Sequence, residues 1–444
     1  MSEAHELTLG QLAASFSART LSPGELIDAL LARIKAVEPQ VQAWETLDEE
    51  GALRAAGVAA DRIARGEARP LEGLPLGIKD IFYTSGLRTT AGFAPFGEHV
   101  PTYDAAPVAR LREAGAMVLG KTVTTQFALV DPPKTRNPWN SERTPGGSSS
   151  GSAAAVAARM APAALGSQTA GSVLRPAAYC GVVGFKPSFG RISRFGVVPL
   201  AWSLDHVGMM ARTVEDVALL YRHLTGYDPR DPGSLGEEDP PMAGGGGDAP
   251  RLALVVDFLE RSEGEVRAHA VEVAKGLRSA GAMVAEVSLP EDFDLIWAVQ
   301  QTVMRGEIGE VHRDLHARHA GDYAPNIRAT VEVGQLVPAQ DYLRAQRLRG
   351  RVRRRVVEGL EGFDAYLTPT VSNTAPVAAT TGDPRFQAVW TLLGSPSITL
   401  PSGLSGERLP FGIQLTGGPL QDEALLGLAA WCEGVLEPVG APLP

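Results

Sequence analysis

The chain has 444 residues, of which 44% are hydrophobic and 21% charged, and its formal net charge is −10. This composition is ordinary for a globular protein, and the negative charge argues against general binding to nucleic acid or to an anionic membrane. The length allows two or three average domains or one large α/β domain. The two cysteines, Cys180 and Cys432, suggest neither a disulfide framework nor a zinc pattern.

The N-terminal stretch MSEAHELTLG has neither a basic region nor an apolar run, so we expect no signal peptide. No run of about 18 apolar residues indicates a transmembrane helix. We therefore expect a cytoplasmic protein that binds neither a membrane nor nucleic acid.

Helical patterns come first along the chain. Residues 8–38 are predicted to form two helices, and the second begins at a capping box that runs from Ser22 to Glu25. We predict that Glu38 and Pro39 end this helix. A further alanine-rich helix is predicted near residues 51–66.

Residues 74–80 form a short apolar run that is interrupted by Lys79. The ordinary interpretation is a strand end whose lysine reaches solvent. The alternative is a desolvated lysine with a lowered pKa, which can act as a base near neutral pH. The pattern of this segment alone favours the ordinary interpretation.

Downstream, residues 105–114 are predicted as a helix and residues 117–119 as a buried strand. Residues 146–152 then form a Gly/Ser loop, GGSSSGS, with a helix predicted after it. Small residues of this kind leave backbone N–H groups exposed to an anion or an oxyanion.

Three general interpretations of this loop fit poorly. A phosphate-binding loop needs Lys and then Ser or Thr after its last Gly, whereas Ser152 and Ala153 follow here. A nucleophile elbow centred on Ser149 needs a buried strand before it, and residues 137–145 do not look like one. A flexible linker explains neither the second small-residue loop, residues 166–172, nor the apolar run between the two loops.

The whole segment from 144 to 187 resembles the amidase signature family. The resemblance rests on the Gly/Ser loop, the second loop ending in Ala170-Gly171-Ser172, and the strand motif CGVVGFKP at 180–187. An upstream Gly-Ile-Lys-Asp motif is also present at residues 77–80. The upstream motif and the two loops are three elements in the right order, which makes this signal far more specific than any one of them.

This resemblance implies a catalytic Ser-cisSer-Lys triad. Ser172 would be the nucleophile, Ser148 the bridging serine in a cis peptide, and Lys79 the base. The oxyanion would lie against backbone N–H groups of Thr169, Ala170, Gly171 and Ser172. The triad needs no metal and no cofactor, and the implied substrate is a small-molecule amide.

The nucleophile loop departs from the family pattern. Many members have Asp-Thr-Gly-Gly-Ser-Ile-Arg there, whereas this chain has Gln168, Ala170, and an arginine, Arg175, one place later. Ser150 also stands where many members have Gly. The triad chemistry needs none of these positions, but the hydrogen bonds that orient the loop should differ. The match to the glutaminase subunit of tRNA-dependent amidotransferases is lowered accordingly.

The C-terminal half follows a linker. Residues 203–208 are predicted as a turn and residues 214–224 as a helix with Thr213 as N-cap. Residues 228–250 are rich in Pro, Gly and acid, and we expect them to be mobile and on the surface. A β-α-β rhythm resumes at residue 251, and residues 293–360 are predicted to be mostly helical.

We expect an α/β fold with a mixed β-sheet core covered by helices on both faces. Residues 1–444 would form a single amidase domain with a flexible linker near 228–250. A homodimer is one possible assembly of this chain.

Other candidate residues are interpreted structurally. His312 and His316 have a spacing that metal ligands use, but without a third ligand they are expected to lie on a solvated helix. The seven arginines within 344–355 are expected on the outer face of a helix, with Leu343, Leu348 and Val352 inside. His206 adjoins Asp205 too closely for a Ser-His-Asp arrangement.

Three functions follow. The first is a stand-alone amidase that hydrolyses a carboxylic amide. The second is the A subunit of a glutamine-dependent tRNA amidotransferase, which releases ammonia from glutamine for a partner. The third is a catalytically silent binding protein, which the presence of Lys79, Ser148 and Ser172 disfavours.

Overall fold

The strands are the short apolar runs that the sequence places between its helices. The computed structural model describes residues 4–235 and 249–442. Within these residues the strands are β1 (Trp44–Leu47), β2 (Pro75–Lys79), β3 (Met117–Thr122), β4 (Ala163–Gln168), β5 (Val183–Lys186), β6 (His206–Ala211), β7 (Arg251–Val255), β8 (Met283–Val287), β9 (Ala365–Pro369), β10 (Ser397–Leu404) and β11 (Pro410–Thr416).

These strands form one 11-stranded sheet in the order β1-β3-β2-β4-β6-β5-β10-β11-β9-β7-β8. The sheet is mixed. Strand β2 runs parallel to β3 and β4, whereas β4 and β5 each pair antiparallel with β6. Strand β10 pairs with β5, so strands from both sides of residues 228–250 belong to the same sheet. The predicted fold class, one large domain around a mixed sheet, is confirmed.

Helices flank this sheet. They are α1 (Leu9–Ser17), α2 (Pro23–Val41), α3 (Glu49–Arg65), α4 (Ala106–Glu113), α5 (Ser150–Ala157), α6 (Leu174–Cys180), α7 (Val214–Leu224), α8 (Val256–Glu260), α9 (Gly264–Ser279), α10 (Phe293–Val311), α11 (Arg313–His319), α12 (Pro325–Gly334), α13 (Ala339–Glu358), α14 (Arg385–Leu393) and α15 (Asp422–Glu433). Among the described residues, no helix is both long and apolar enough to cross a membrane.

Two of these helices, α5 and α6, are buried along their whole length. The small side chains of α5 let its backbone approach its neighbours closely. At Gly151 a Cβ atom would lie 2.3 Å from the carbonyl oxygen of Ala43, which no real contact allows. Because α5 begins at Ser150 and α6 at Leu174, this packing fixes the two serine loops that precede them.

The start of α2 confirms the predicted capping box, since the Ser22 hydroxyl accepts the Glu25 N–H and the Glu25 carboxylate accepts the Ser22 N–H. The predicted end is wrong, because α2 continues through Pro39 to Val41. A proline inside a helix removes one hydrogen bond and clashes with the preceding turn, but here Val37 and Val41 on either side of Pro39 are buried. The Glu38 carboxylate then accepts the N–H groups of Ala43 and Trp44 just beyond the helix.

The segment 203–208 is not a turn throughout, because β6 starts at His206 and pairs with β4. The N-terminal part of the expected linker is anchored rather than free. Asp228 accepts a hydrogen bond from the Ser193 hydroxyl at 2.7 Å, and Asp231 forms an ion pair with Arg194 at 2.9 Å. Residues 236–248 of this linker lie outside the described residues.

The arginine-rich helix α13 follows the prediction in part. Val352 is buried, but Leu343 is 61% exposed, so its predicted inward position is wrong. Arg349 is the exception among the arginines: its Nε donates to the Leu392 carbonyl at 2.6 Å, and its Nη2 donates to the Ser203 carbonyl at 2.9 Å. This guanidinium joins α13 to the segment before β6.

Candidate active site

Lys79 is the last residue of β2 and is fully buried. Its Nζ lies 2.8 Å from the Oγ of Ser148 and 2.8 Å from the Oγ of Ser167, on the neighbouring strand β4. The ordinary interpretation, a lysine that reaches solvent at a strand end, is therefore wrong. Its amino group contacts two hydroxyl groups in the protein interior.

Burial lowers the pKa of Lys79 well below its usual value, and the negative charge of Asp205 opposes this shift only partly. The adjacent carboxylate, Asp80, does not serve Lys79. It lies 3.2 Å from the Nζ of Lys121, another fully buried lysine. Burial lowers the pKa of Lys121 to about 8, even though Asp80 raises it. Lys79 thus has hydroxyl partners where Lys121 has a carboxylate, and its neutral form is favoured.

The Gly147–Ser148 peptide bond is cis. The loop that contains it is held from both sides. Arg175 donates from Nη2 to the Gly147 carbonyl at 2.7 Å, and the Ser149 N–H donates to the Ser172 carbonyl at 3.3 Å. The two serine loops are therefore in direct contact, and Ser148 lies at their junction with Lys79.

The second loop presents free backbone donors. Residues 169–172 follow β4, and among the described residues no acceptor occupies the N–H groups of Thr169, Ala170, Gly171 or Ser172. The next two N–H groups, of Val173 and Leu174, are instead taken by the Oε1 of Gln168 at 2.9 and 3.0 Å.

The loop is shaped by residues far along the chain. The Nε2 of Gln168 donates to the Thr391 hydroxyl at 2.9 Å, and that hydroxyl donates to the Ala170 carbonyl at 2.7 Å. A Cβ atom at Gly171 would lie 2.4 Å from the Oε1 of Gln387. Helix α14 therefore packs against this loop, and a residue larger than glycine at position 171 would require the Gln387 side chain to move.

Asp205 is a site residue that the sequence reasoning missed. Its Oδ1 accepts the Thr169 hydroxyl at 2.5 Å, and its Oδ2 accepts the N–H groups of Leu200 and Ala201 at 2.8 and 3.0 Å. Burial raises the pKa of Asp205, while these hydrogen bonds lower it. A carboxylate within a predicted turn beside the signature is the one signal in the sequence that points to it.

His206 and His312 form their hydrogen bonds with residues outside the proposed triad. The Nδ1 of His206 lies 2.6 Å from the Leu204 carbonyl, and burial lowers the pKa of His206 well below its usual value. His312 is not solvated as predicted: it is buried and its Nδ1 lies 3.0 Å from the Tyr323 hydroxyl. The described residues contain no group of three or more His, Cys, Asp or Glu that could hold a metal ion.

A cavity of about 270 Å³ opens onto the second loop. Two arginines are its only charged lining residues within the described part of the chain, and no carboxylate lines it. Its lining residues are Ala128, Leu129, Val130, Thr169, Ala170, Ser172, Arg175, Leu200, Trp297, Gln301, Met304, Arg305, Thr330 and Pro384. Thr169, Ala170 and Ser172 therefore border a space large enough for a small substrate.

Comparison with known proteins agrees with this geometry. The family model described as Amidase matches residues 25–426, so the chain belongs to the amidase family and is an amide-hydrolysing enzyme. Among similar proteins, the A subunit of the glutamyl-tRNA(Gln) amidotransferase from Roseiflexus sp. (strain RS-1) is 39% identical over 95% of each chain.

Two solved structures are similar over almost the whole chain. A crystal structure of an amidase has a TM-score of 0.87 and 32% identity, covering 97% of this chain and 100% of the other. A structure described as an unexpected vestigial protein complex, which reveals the evolutionary origins of an s-triazine catabolic enzyme, has a TM-score of 0.90 and 29% identity. It covers 98% of this chain and 100% of its own.

Proposed function

We propose that this chain hydrolyses a carboxylic amide through an acyl-enzyme on Ser172, with Ser148 and Lys79 as the proton relay. The observation that carries the proposal is the contact of a fully buried lysine amine with the Ser148 hydroxyl at 2.8 Å. A lysine can act as a base only when it is neutral, and burial favours that form.

In the first half-reaction, neutral Lys79 takes the proton of the Ser148 hydroxyl, and Ser148 takes that of Ser172. The Ser172 Oγ then forms a bond to the amide carbon, and the carbonyl electron pair moves to oxygen. The N–H groups of residues 169–172, which are free among the described residues, would receive this oxyanion. Removing one such donor costs on the order of 10²–10³ in rate in other enzymes.

Collapse of the tetrahedral intermediate breaks the C–N bond. The relay returns its proton to the leaving nitrogen, so ammonia or an amine departs. Water then attacks the ester carbon and gives a proton to the same relay. The bond between that carbon and the Ser172 Oγ breaks, the relay returns the proton to the Oγ, and the acid departs. Neither a metal nor a cofactor enters any of these steps.

A direct test is the isolated chain against a panel of linear amides and aryl anilides, with a fluorophosphonate as active-site label. We expect hydrolysis and a single adduct on Ser172. An adduct on Ser149 or Cys180 with none on Ser172 would refute the assignment.

A second candidate is release of ammonia from glutamine as the A subunit of a tRNA-dependent amidotransferase. The name and 39% identity of the Roseiflexus relative favour it. In that case glutamine would be the preferred amide, and its hydrolysis would depend on a partner protein that copurifies with the chain. Efficient turnover of other amides by the isolated chain would favour the stand-alone amidase instead.

A further inference from the structure

Helix α10 presents one stripe of side chains to the candidate active-site cavity. Trp297, Gln301 and Arg305 all line it and are spaced four residues apart, so they lie on one face of the helix. The neighbouring Gln300 directs its Nε2 toward the Thr169 carbonyl at 3.5 Å. The part of α10 around Gln300 is therefore adjacent to the nucleophile loop.

Arg305 differs from the other arginine of the cavity. Arg175 is buried and donates to the carbonyl oxygens of Gly147 and Gly382. Arg305 is exposed, and among the described residues it forms no ion pair and no side-chain hydrogen bond. Its guanidinium is therefore available to a ligand.

The electrostatic setting is unusual for this chain. The whole sequence carries a net charge of −10, yet the described lining of the cavity contains two arginines and no acidic residue. Asp341 borders the adjoining groove that Trp297, Gln301 and Arg305 also line, but it does not border the catalytic cavity. The Asp205 carboxylate accepts the Thr169 hydroxyl but does not line the cavity. A cavity whose charged lining residues are basic attracts anions and concentrates them locally.

We propose that Arg305 is a specificity-determining residue and that the substrates are amides that carry a carboxylate on the acyl side. This inference rests on the proposed function. Arg305 follows Gln300 by five residues, which is about 7 Å along the helix axis. The carboxylate would thus be several bonds away from the scissile carbonyl, with the apolar walls formed by Leu129, Leu200 and Met304 around the chain between them.

The same arrangement disfavours glutamine. Its α-carboxylate could reach Arg305, but its α-ammonium group would meet no carboxylate among the described lining residues. Taking a charged group out of water without a partner is costly. A monoamide of a dicarboxylic acid carries the anion without that cation.

The test compares the monoamides of succinic, glutaric and adipic acids with butanamide, pentanamide and hexanamide. Each pair has the same carbon count and differs in one carboxylate. We expect kcat/KM of the wild type to favour at least one carboxylated member by about 10- to 100-fold, the range for a charge-assisted hydrogen bond. In Arg305→Gln this ratio should collapse toward one, mainly through KM, and Arg305→Lys should keep part of it. Glutamine should be a poorer substrate than the glutaric monoamide.

Arg344→Gln is the matched control, because Arg344 lines the adjoining groove and not the catalytic cavity; its ratio should equal that of the wild type. A second readout does not need turnover: glutarate should slow fluorophosphonate labelling of Ser172 in the wild type and much less in Arg305→Gln. Equal kcat/KM within each pair, a preference for glutamine, or labelling that glutarate leaves unchanged would overturn the inference. Hydrolysis of the neutral amides together with labelling of Ser172 would still support the proposed chemistry.

Discussion

The guanidinium of Arg175 donates to the Gly147 carbonyl oxygen at 2.7 Å, which belongs to the same peptide unit as the Ser148 nitrogen. Arg175 lies in α6, three residues after Ser172. One side chain therefore links the helix that follows the nucleophile to the loop that holds the bridging serine. It also reaches Thr381 and Gly382, so a third segment joins the same point.

Arg175→Lys should weaken this junction. An ammonium cannot reproduce the fork that contacts three acceptors at once, and burial leaves the lost acceptors without water. We expect a loss of about 2–4 kcal/mol in the free energy of unfolding and a clear fall in kcat. Urea unfolding and amide hydrolysis measure both. Arg385→Lys is the control, since Arg385 pairs with Asp383 at the surface. An Arg175→Lys variant as stable and active as the wild type would contradict this role.

Ser172→Ala should abolish amide hydrolysis and fluorophosphonate labelling while the fold is kept. The hydroxyl supplies the covalent bond, whereas loss of one small group in a loop changes packing little. Mass spectrometry of the protein checks the loss of labelling, and circular dichroism checks that the fold is kept. Ser262→Ala is a suitable comparison, because it loses a buried hydrogen bond to Phe258 outside the site and should keep full labelling. Residual labelling of Ser172→Ala at the wild-type rate would refute the assignment.

The pH dependence of kcat/KM should report Lys79. Protonated Lys79 cannot accept a proton, so activity should rise with pH to a plateau as the neutral form accumulates. Burial lowers the pKa of Lys79 well below its usual value, so the rise in activity should occur at a correspondingly lower pH. The midpoint of this rise reports the coupled Lys–Ser–Ser system and not one residue. Lys79→Ala and Lys79→Arg should both lose most of the rate and label slowly. A Lys79→Arg variant with near wild-type turnover would show that only a cation is needed there.

Asp205→Asn should shift the rise of kcat/KM with pH toward lower pH. The negative charge of Asp205 raises the pKa of Lys79, so its removal lowers that pKa further. The asparagine side chain also has only one oxygen acceptor. In the wild type one Asp205 oxygen accepts from Thr169 and the other accepts from two backbone N–H groups. We therefore expect kcat to fall about tenfold or more, as one lost charge-assisted hydrogen bond implies. A pH–rate profile with an unchanged midpoint would argue against electrostatic coupling between the two residues.

Gly171→Ala should inactivate the enzyme through a steric effect. The added methyl would meet the Gln387 Oε1 at 2.4 Å, and Gln387 is held in place by its amide contact with the Thr370 carbonyl. Shifting the loop would misplace the donors for the oxyanion. The double variant Gly171→Ala/Gln387→Ala should recover part of the lost kcat, which a double-mutant cycle quantifies. No recovery would mean that the loss has another cause.

The sequence predicted the elements of the site that lie in its motifs. The strand that ends at Lys79 and the loops that contain Ser148 and Ser172 were located from local pattern and family resemblance. Thr213 as N-cap of α7 was also correct, because capping depends on neighbouring residues only. The fold class followed from the alternation of strands and helices together with the family resemblance.

The residues that orient the site could not be predicted in this way. Thr391 contacts Gln168 across 223 positions, and Gln300 contacts Thr169 across 131. No local period or motif encodes which distant helix packs on a loop. The extension of α2 beyond Pro39 has a similar origin, because Val37 and Val41 are buried and such packing overrides the helix-breaking tendency of one proline.

The strand order has a consequence for synthesis of the protein. Strand β10, the partner of β5, is synthesised only after almost half of the chain has followed β5. Thr391, the partner of the Gln168 amide, is synthesised 223 residues after Gln168. At about 5–20 residues per second, translation of that interval takes on the order of tens of seconds. During this time the nascent chain carries Lys79, Ser148 and Ser172 but not the helix that shapes the loop at Gly171. A ribosome-bound chain that lacks α14 should therefore be inert toward amides, so hydrolysis begins only when translation is nearly complete.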